Sequence, residues 1–307
     1  MTSMKNLLKR SERLRAAKRR LDQARIRWHM IHLQNHLGIA ENLKYALYQR
    51  WCRAAYRGKP ATNQAVRDLR ANLFAVLPAN EARRALAAAL ASVMDGLYPD
   101  PANRNPSVMD PSFVQMNDAI NAFPNATDIL DQEVRSTLEA FFGSNFKIYR
   151  ACGYRTLPKS EPYQELQNAW RWHSDCYPSQ IIKVMMYLTD TDRHSGAFPV
   201  HPVANSKRLF RLGFFDRYAV PDALQRELDD AETYVWAEGP AGTIVIFDDN
   251  LVHRATPPEP PHHRDVFVFE VMPSREPWDA HLKAHRQDVS SPARLGMKWP
   301  ANPFRFE

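Results

Sequence analysis

The chain has 307 residues, 44% hydrophobic and 24% charged, the proportions of an ordinary globular protein sized for one large domain or two small ones. Its formal net charge of +7 is gathered at one end, because residues 1–57 hold four lysines and ten arginines against Glu12, Asp22 and Glu41. No run of about 18 uncharged apolar residues exists to cross a membrane, the opening "MTSMKNLLKRSERLRAAKRR" has no apolar signal region, and three cysteines (Cys52, Cys152, Cys176) make no disulfide framework, so a cytoplasmic protein is expected.

From about Lys5 to His36 the pattern predicts one long basic helix. No Gly or Pro interrupts it before Gly38, and Leu7, Leu14, Leu21 and Trp28 recur with heptad-like spacing, with Ala17, Ala24 and Ile31 between them. Such a helix serves three uses: packing on its own domain, self-association, or lying on an anionic surface. The arm, residues 1–57, therefore leaves open a peripheral contact with the inner membrane and a homo-oligomer. No specific nucleic-acid partner is expected.

Residues 58–142 are predicted as a helical region packing on the core. "ENLKYALYQRWCRAAY", which begins within the arm, and "ATNQAVRDLRANLFAVL", "NEARRALAAALASVM" and "LDQEVRSTLEAFFG" all show helical periodicity, separated by Gly58, Pro60, Pro78 and a Pro/Asn-rich stretch. After Gly143 the character changes to short strands bounded by Gly, Pro or Asp: "NFKIYRACGYRT", "QIIKVMMYLTD", "GAFPVHP", "ETYVWAEG", "GTIVIFDD" and "RDVFVFEVMP". "RLFRLGFFDRY" and "PDALQRELDDAE" interrupt them as helical insertions. The expected fold is α+β, a jelly-roll core over residues 143–274 with a large helical N-terminal region, and residues 275–307 form an irregular tail.

"WHSDCYPSQ" places His173 and Asp175 one residue apart. On a helix these side chains would diverge; on a strand they share a face. A chain with eleven histidines supplies one such pair by chance, and an aspartate holding a histidine tautomer explains it equally well. The rest of the pattern lies in "GTIVIFDDNLVHRATPPEPPHHRDVFVFE". His253 follows a strand and lies 80 residues after His173; Arg264 opens the next strand 11 residues later. Two histidines and a carboxylate on one face of a double sheet form the facial triad of non-heme Fe(II) oxygenases, which leaves open positions for substrate and oxygen. An arginine fork suits a carboxylate held at a fixed distance from the metal.

At these residues the chain resembles the phytanoyl-CoA dioxygenase-like branch of the Fe(II)/2-oxoglutarate oxygenases. The resemblance spans roughly residues 130–274 and rests on "WHSD", "IIKVMMYLTDTDRHSGAFPVHP", "GTIVIFDDNLVHRA" and the arginine 11 residues on. It implies that His173, Asp175 and His253 ligate Fe(II), that Arg264 binds the distal carboxylate of 2-oxoglutarate, and that O2 is consumed to oxidise a C–H bond of a small-molecule, glycan or lipid-linked substrate. It also implies hydroxylation over halogenation, since halogenating relatives carry a small residue where this chain has Asp175. Two departures stand out. "HPVANSKR" replaces the family's Pro-Gly-Ser-His turn, and Ala255 stands where many members place a serine.

The remaining candidates read as structural. His262 and His263 are expected to be solvated loop residues, and His194 and His201 flank the central loop. Trp170, Trp172 and Trp236 are expected to pack, with substrate stacking as the alternative. The rival function is a non-catalytic jelly-roll binding or interaction protein acting through the basic arm; the intact triad with its arginine speaks against it.

Overall fold

The computed structural model describes residues 39–59, 62–105, 111–159, 168–175, 180–212, 222–230 and 234–290. The basic helix expected over Lys5–His36, Cys176 and the end of the chain from residue 291 lie outside them. The fold is α+β, with antiparallel strands throughout.

Period-two alternation builds the major sheet. Its strands are β1 (Phe74–Leu77), β2 (Phe113–Gln115), β3 (Asn145–Thr156), β4 (Ile182–Tyr187), β7 (Ile244–Asp248) and β8 (Arg264–Ser274), in the order β1-β7-β4-β8-β3-β2. β5 (Phe198–Val200) and β6 (Val235–Ala237) pair as a smaller sheet. Single bridges Val200–His253 and His173–His253 carry that sheet two chains further. Met185, Val245, Phe247, Val266 and Val268 of the major sheet meet Phe198, Val200 and Ala237 of the minor one, so the sheets enclose a mainly apolar interior.

The opposite face of the major sheet is apolar as well. Ile182, Val184, Ile244, Ile246, Phe267 and Phe269 pack against helices α2 (Gln64–Asn72), α3 (Glu81–Leu97) and α5 (Gln132–Phe142). Apolar residues on both sides explain why β7 and β8 read as continuous apolar runs. The short α4 (Ala119–Ala122) adds Ala119 and Ile120 to this layer. Arg155, on β3, forks onto Asp265 of β8 at 2.8 and 2.5 Å and also reaches Asp95 of α3, fixing helix to sheet. α1 (Ile39–Ala55) buries Tyr45, Tyr48 and Cys52 against Ile181 and Met272, and Tyr48 Oη donates to the Pro273 carbonyl at 3.0 Å. The last part of the basic arm is thus packed on the core.

Two expectations need correcting. Residues 58–142 are not helical throughout: Asn63 caps α2 by accepting from Val66 N at 2.8 Å, Leu73 ends it in the left-handed region (φ 57°), and Phe74–Leu77 becomes β1, paired with β7. β2 is a second strand in the same region. Pairing with partners far along the chain overrides the local helical pattern. The tail after residue 274 is also not all irregular, because Trp278–Ser290 forms α8. Its only fully buried apolar positions among the described side chains, Leu282 and Val289, are seven apart, too sparse to declare a helix.

The helical insertions are α6 (Val203–Leu212) and α7 (Asp222–Asp230). Leu224 and Leu228 of α7 pack on Trp172 and Val252, covering the outer side of the minor sheet.

Candidate metal centre

His173 and His253 face each other across a two-way backbone pair, in which each donates its N–H to the other's carbonyl at 3.0 Å. His173 was expected on or beside a strand; it sits in a single bridge, and Asp175 follows outside any strand. Asp175 is fixed instead by its N–H, which donates to the Asp249 carbonyl at 3.1 Å. The three side chains converge. His173 Nε2 is 3.8 Å from Asp175 Oδ1 and His253 Nε2 is 3.6 Å from Oδ2, and one ligand atom from each residue lies within 4.8 Å of the others.

Each imidazole is held in one tautomer by a backbone carbonyl two residues earlier. His173 Nδ1 lies 2.7 Å from the Arg171 carbonyl and His253 Nδ1 lies 2.7 Å from that of Leu251. A carbonyl can only accept, so Nδ1 carries a proton, and Nε2 is the nitrogen turned toward Asp175. Burial, with His173 alongside, pushes the His253 pKa down to about 3, so this ring is neutral at ordinary pH. Two imidazole nitrogens and a carboxylate at this separation fit a divalent cation such as Fe(II).

Behind Asp175 lies a buried polar chain that sequence reasoning missed. Lys183, pointing inward from β4, makes a short ion pair with Asp175 Oδ2 and lies 3.2 Å from Asp249 Oδ1. That second approach is off hydrogen-bond alignment, so the fully buried Asp249 carboxylate accepts no hydrogen bond among the described residues. Glu270, the register partner of Lys183 on β8, pairs with Arg150 at 3.3 Å. Burial works to lower the Lys183 pKa, but Asp175, Asp249 and Glu270 outweigh it and hold it well above the ordinary lysine value. The available signal was an ionisable residue inside an apolar strand: the lysine of "IIKVMMYL" and the glutamate of "VFVFEVM".

Arg264 stands at the start of β8 with its guanidinium buried in the interior. One Nη donates to the Gly196 carbonyl and the other to Thr156 Oγ1 at 3.3 Å, while Nε has no partner among the described residues. Gly196 is in a left-handed conformation (φ 86°), and a Cβ there would meet the Thr256 carbonyl at 2.7 Å, so only glycine presents that carbonyl to the arginine. A buried guanidinium with an unspent donor fits a carboxylate ligand.

The other candidates are structural. Trp172 points away from the triad; its Nε1 donates to Asp229 of α7 at 2.9 Å, and Arg254, paired with the same aspartate, stacks over its ring. His201 lies on that outer side, 4.3 Å from the Trp172 ring, and does not join the triad. His194 pairs with Glu259 at the surface, and His263 lies 3.6 Å from Asp265 on the helix-covered face.

A model of the phytanoyl-CoA dioxygenase (PhyH) family matches residues 75–266. No curated protein sequence is similar to this chain. Among solved structures, the non-heme alpha-ketoglutarate-dependent carbocyclase SnoK of nogalamycin biosynthesis is 17% identical with a TM-score of 0.52, over 76% of this chain and 96% of that one. EctD from S. alaskensis with 2-oxoglutarate and 5-hydroxyectoine is 16% identical with a TM-score of 0.52, over 71% and 78%. The same protein with bound Fe gives 0.50 at 16% identity, over 73% and 82%. At these identities the likeness is one of fold.

Proposed function

The chain belongs to the phytanoyl-CoA dioxygenase (PhyH) family of Fe(II)/2-oxoglutarate-dependent oxygenases, and on that premise we propose that His173, Asp175 and His253 hold the iron, that Arg264 anchors 2-oxoglutarate, and that the enclosing strands form a double-stranded β-helix. One observation carries this reading: both imidazoles are locked by backbone carbonyls with their Nε2 atoms turned toward the Asp175 carboxylate. When bound, Fe(II) and 2-oxoglutarate activate O2 and oxidise a C–H bond of the substrate, giving succinate and CO2.

The residues prepare that chemistry. The Arg171 and Leu251 carbonyls keep both histidine rings turned with Nε2 toward the site. His173, Asp175 and His253 would hold the ion from one side and leave its other side open to 2-oxoglutarate and O2. Arg264 offers its unspent Nε–H to the far carboxylate of the cosubstrate. Val245, Phe247, Val266 and Val268 line the interior and keep water from the reacting centre. With Asp175 in place no position is vacated for a halide, so the reaction is hydroxylation or a related oxidation. The substrate is a small molecule, a glycan or a lipid-linked compound.

The test is spectroscopic. Anaerobic Fe(II) with 2-oxoglutarate is expected to give the weak visible charge-transfer band of the chelate in wild type and none in His253→Ala. An unchanged band in the variant would place the iron elsewhere.

A further inference from the structure

We propose that Lys183 is a positioning residue for the metal site: its ammonium, set between the carboxylates of Asp175 and Asp249, holds one oxygen of Asp175 so that the other is presented to the metal. The inference rests on the assignment of Asp175 as a ligand.

The geometry assigns this role to Lys183 in particular. It leaves β4 on the face that points into the enclosure, level with Glu270 on β8 and Phe247 on β7. Its ammonium makes its close contact with Asp175 Oδ2 and lies 3.2 Å from Asp249 Oδ1. Asp175 follows outside any strand, with its N–H on the Asp249 carbonyl and its carboxylate in close contact with the Lys183 ammonium, whereas both histidine rings are fixed by carbonyls. A carboxylate on such a segment needs an outer partner to choose which oxygen faces the metal, and such outer partners carry a large part of metal affinity. Asp249 supplies the second half of the device. It is fully buried, its carboxylate accepts no hydrogen bond among the described residues, and its carbonyl receives the Asp175 N–H. Without the lysine two buried carboxylates on neighbouring chains would repel, and Asp175 would turn away.

A purely structural ion pair would hold the barrel together without affecting the metal, and the two roles separate experimentally. Lys183→Met removes the donor but leaves two uncompensated buried carboxylates, so the informative variant is Lys183→Met/Asp249→Asn, which removes one charge of each sign and preserves folding. The readout is Mn(II) binding to the full-length protein, followed by the electron paramagnetic resonance signal of free Mn(II), with circular dichroism confirming the fold. The double variant is expected to bind Mn(II) roughly 10- to 100-fold more weakly than wild type. Asp249→Asn alone, which keeps Lys183 on Asp175, should lose clearly less Mn(II) affinity than the double variant. A folded double variant with wild-type affinity overturns the proposal, and so does an equal loss in Asp249→Asn alone. His253→Ala separates the two layers of inference. If it too keeps wild-type Mn(II) affinity, the ligand assignment has failed; if it loses Mn(II) while the double variant does not, only the role of Lys183 has failed.

Discussion

Arg264 carries a buried positive charge whose Nε–H has no acceptor among the described residues, an arrangement that is costly until an anion arrives. Truncating one member of a buried, hydrogen-bonded charge pair costs about 2–5 kcal/mol, or at least ~30-fold in binding. Arg264→Leu is therefore expected to weaken 2-oxoglutarate by about two orders of magnitude while Mn(II) affinity stays near wild type, as anaerobic calorimetry would show; equal cosubstrate affinity would remove Arg264 from its role. The residues of this site differed in how readable they were. His173 and Asp175 stood out as a His-x-Asp pair shortly before the apolar run of β4, His253 because it follows a strand, and Arg264 because it opens the next. Lys183 did not, because one charge in an apolar strand looks the same whether it faces solvent or a ligand, and only the pairing of β4 with β7 and β8 turns it inward. Gly196 was equally silent: its meaning lies in a backbone angle and in Thr256, sixty residues away.

Among the elements, α5 shows how one side chain can serve two structures. Asp131 caps the helix by accepting from Val134 N at 2.9 Å through one oxygen, and with the other it receives Arg83 Nε at 2.8 Å. Arg83 is itself buried on α3 and also reaches Glu133 and the Pro78 carbonyl. A lost cap costs about 1 kcal/mol, and leaving a buried guanidinium short of a partner adds about 1–3 kcal/mol. Asp131→Ala is expected to cost roughly 2–4 kcal/mol in urea unfolding, and Asp131→Asn, which retains the cap, clearly less. A loss in the alanine variant no larger than a cap alone would show that Arg83 does not depend on it. The same helices show where local pattern sufficed. α3 and α5 were legible because Asn80 and Asp131 stand as caps directly before periodic apolar residues. β1 was not, since no Gly or Pro separates "RDLRAN" from "LFAVL" and its stabilising partner, β7, is distant in sequence.

Over the whole molecule, stability against acid follows from histidines buried in neutral form. Burial lowers the pKa of His201 to about 4 and those of His253 and His281 to about 3. An unfolded histidine titrates near 6.5, so as pH falls below that value the unfolded chain takes up protons the folded one refuses, and stability drops until the folded values are reached. Asp248 works in the opposite direction. Burial raises its pKa to about 6, so between about 6 and 4 the folded chain holds the extra proton and gains stability as pH falls. Burial pushes the Asp249 carboxyl up as well, so three histidines stand against two carboxyls; unfolding free energy is expected to decline from pH 6.5 to 4 by on the order of 1 kcal/mol per unit, and His201→Phe should make that slope shallower. A slope of the opposite sign, or one unchanged in the variant, would count against these buried neutral rings. The paired backbones of His173 and His253 have a consequence of a different kind. Because main-chain hydrogen bonds set the spacing of the two nitrogens, the cradle has little freedom to reject an unwanted ion by changing its shape. Nickel and copper outrank ferrous iron for such donors, and zinc does too. If these residues hold the iron, correct loading would depend on the cell's metal supply when the protein folds, and a recombinant preparation would carry the metals of its growth medium until they are stripped and exchanged.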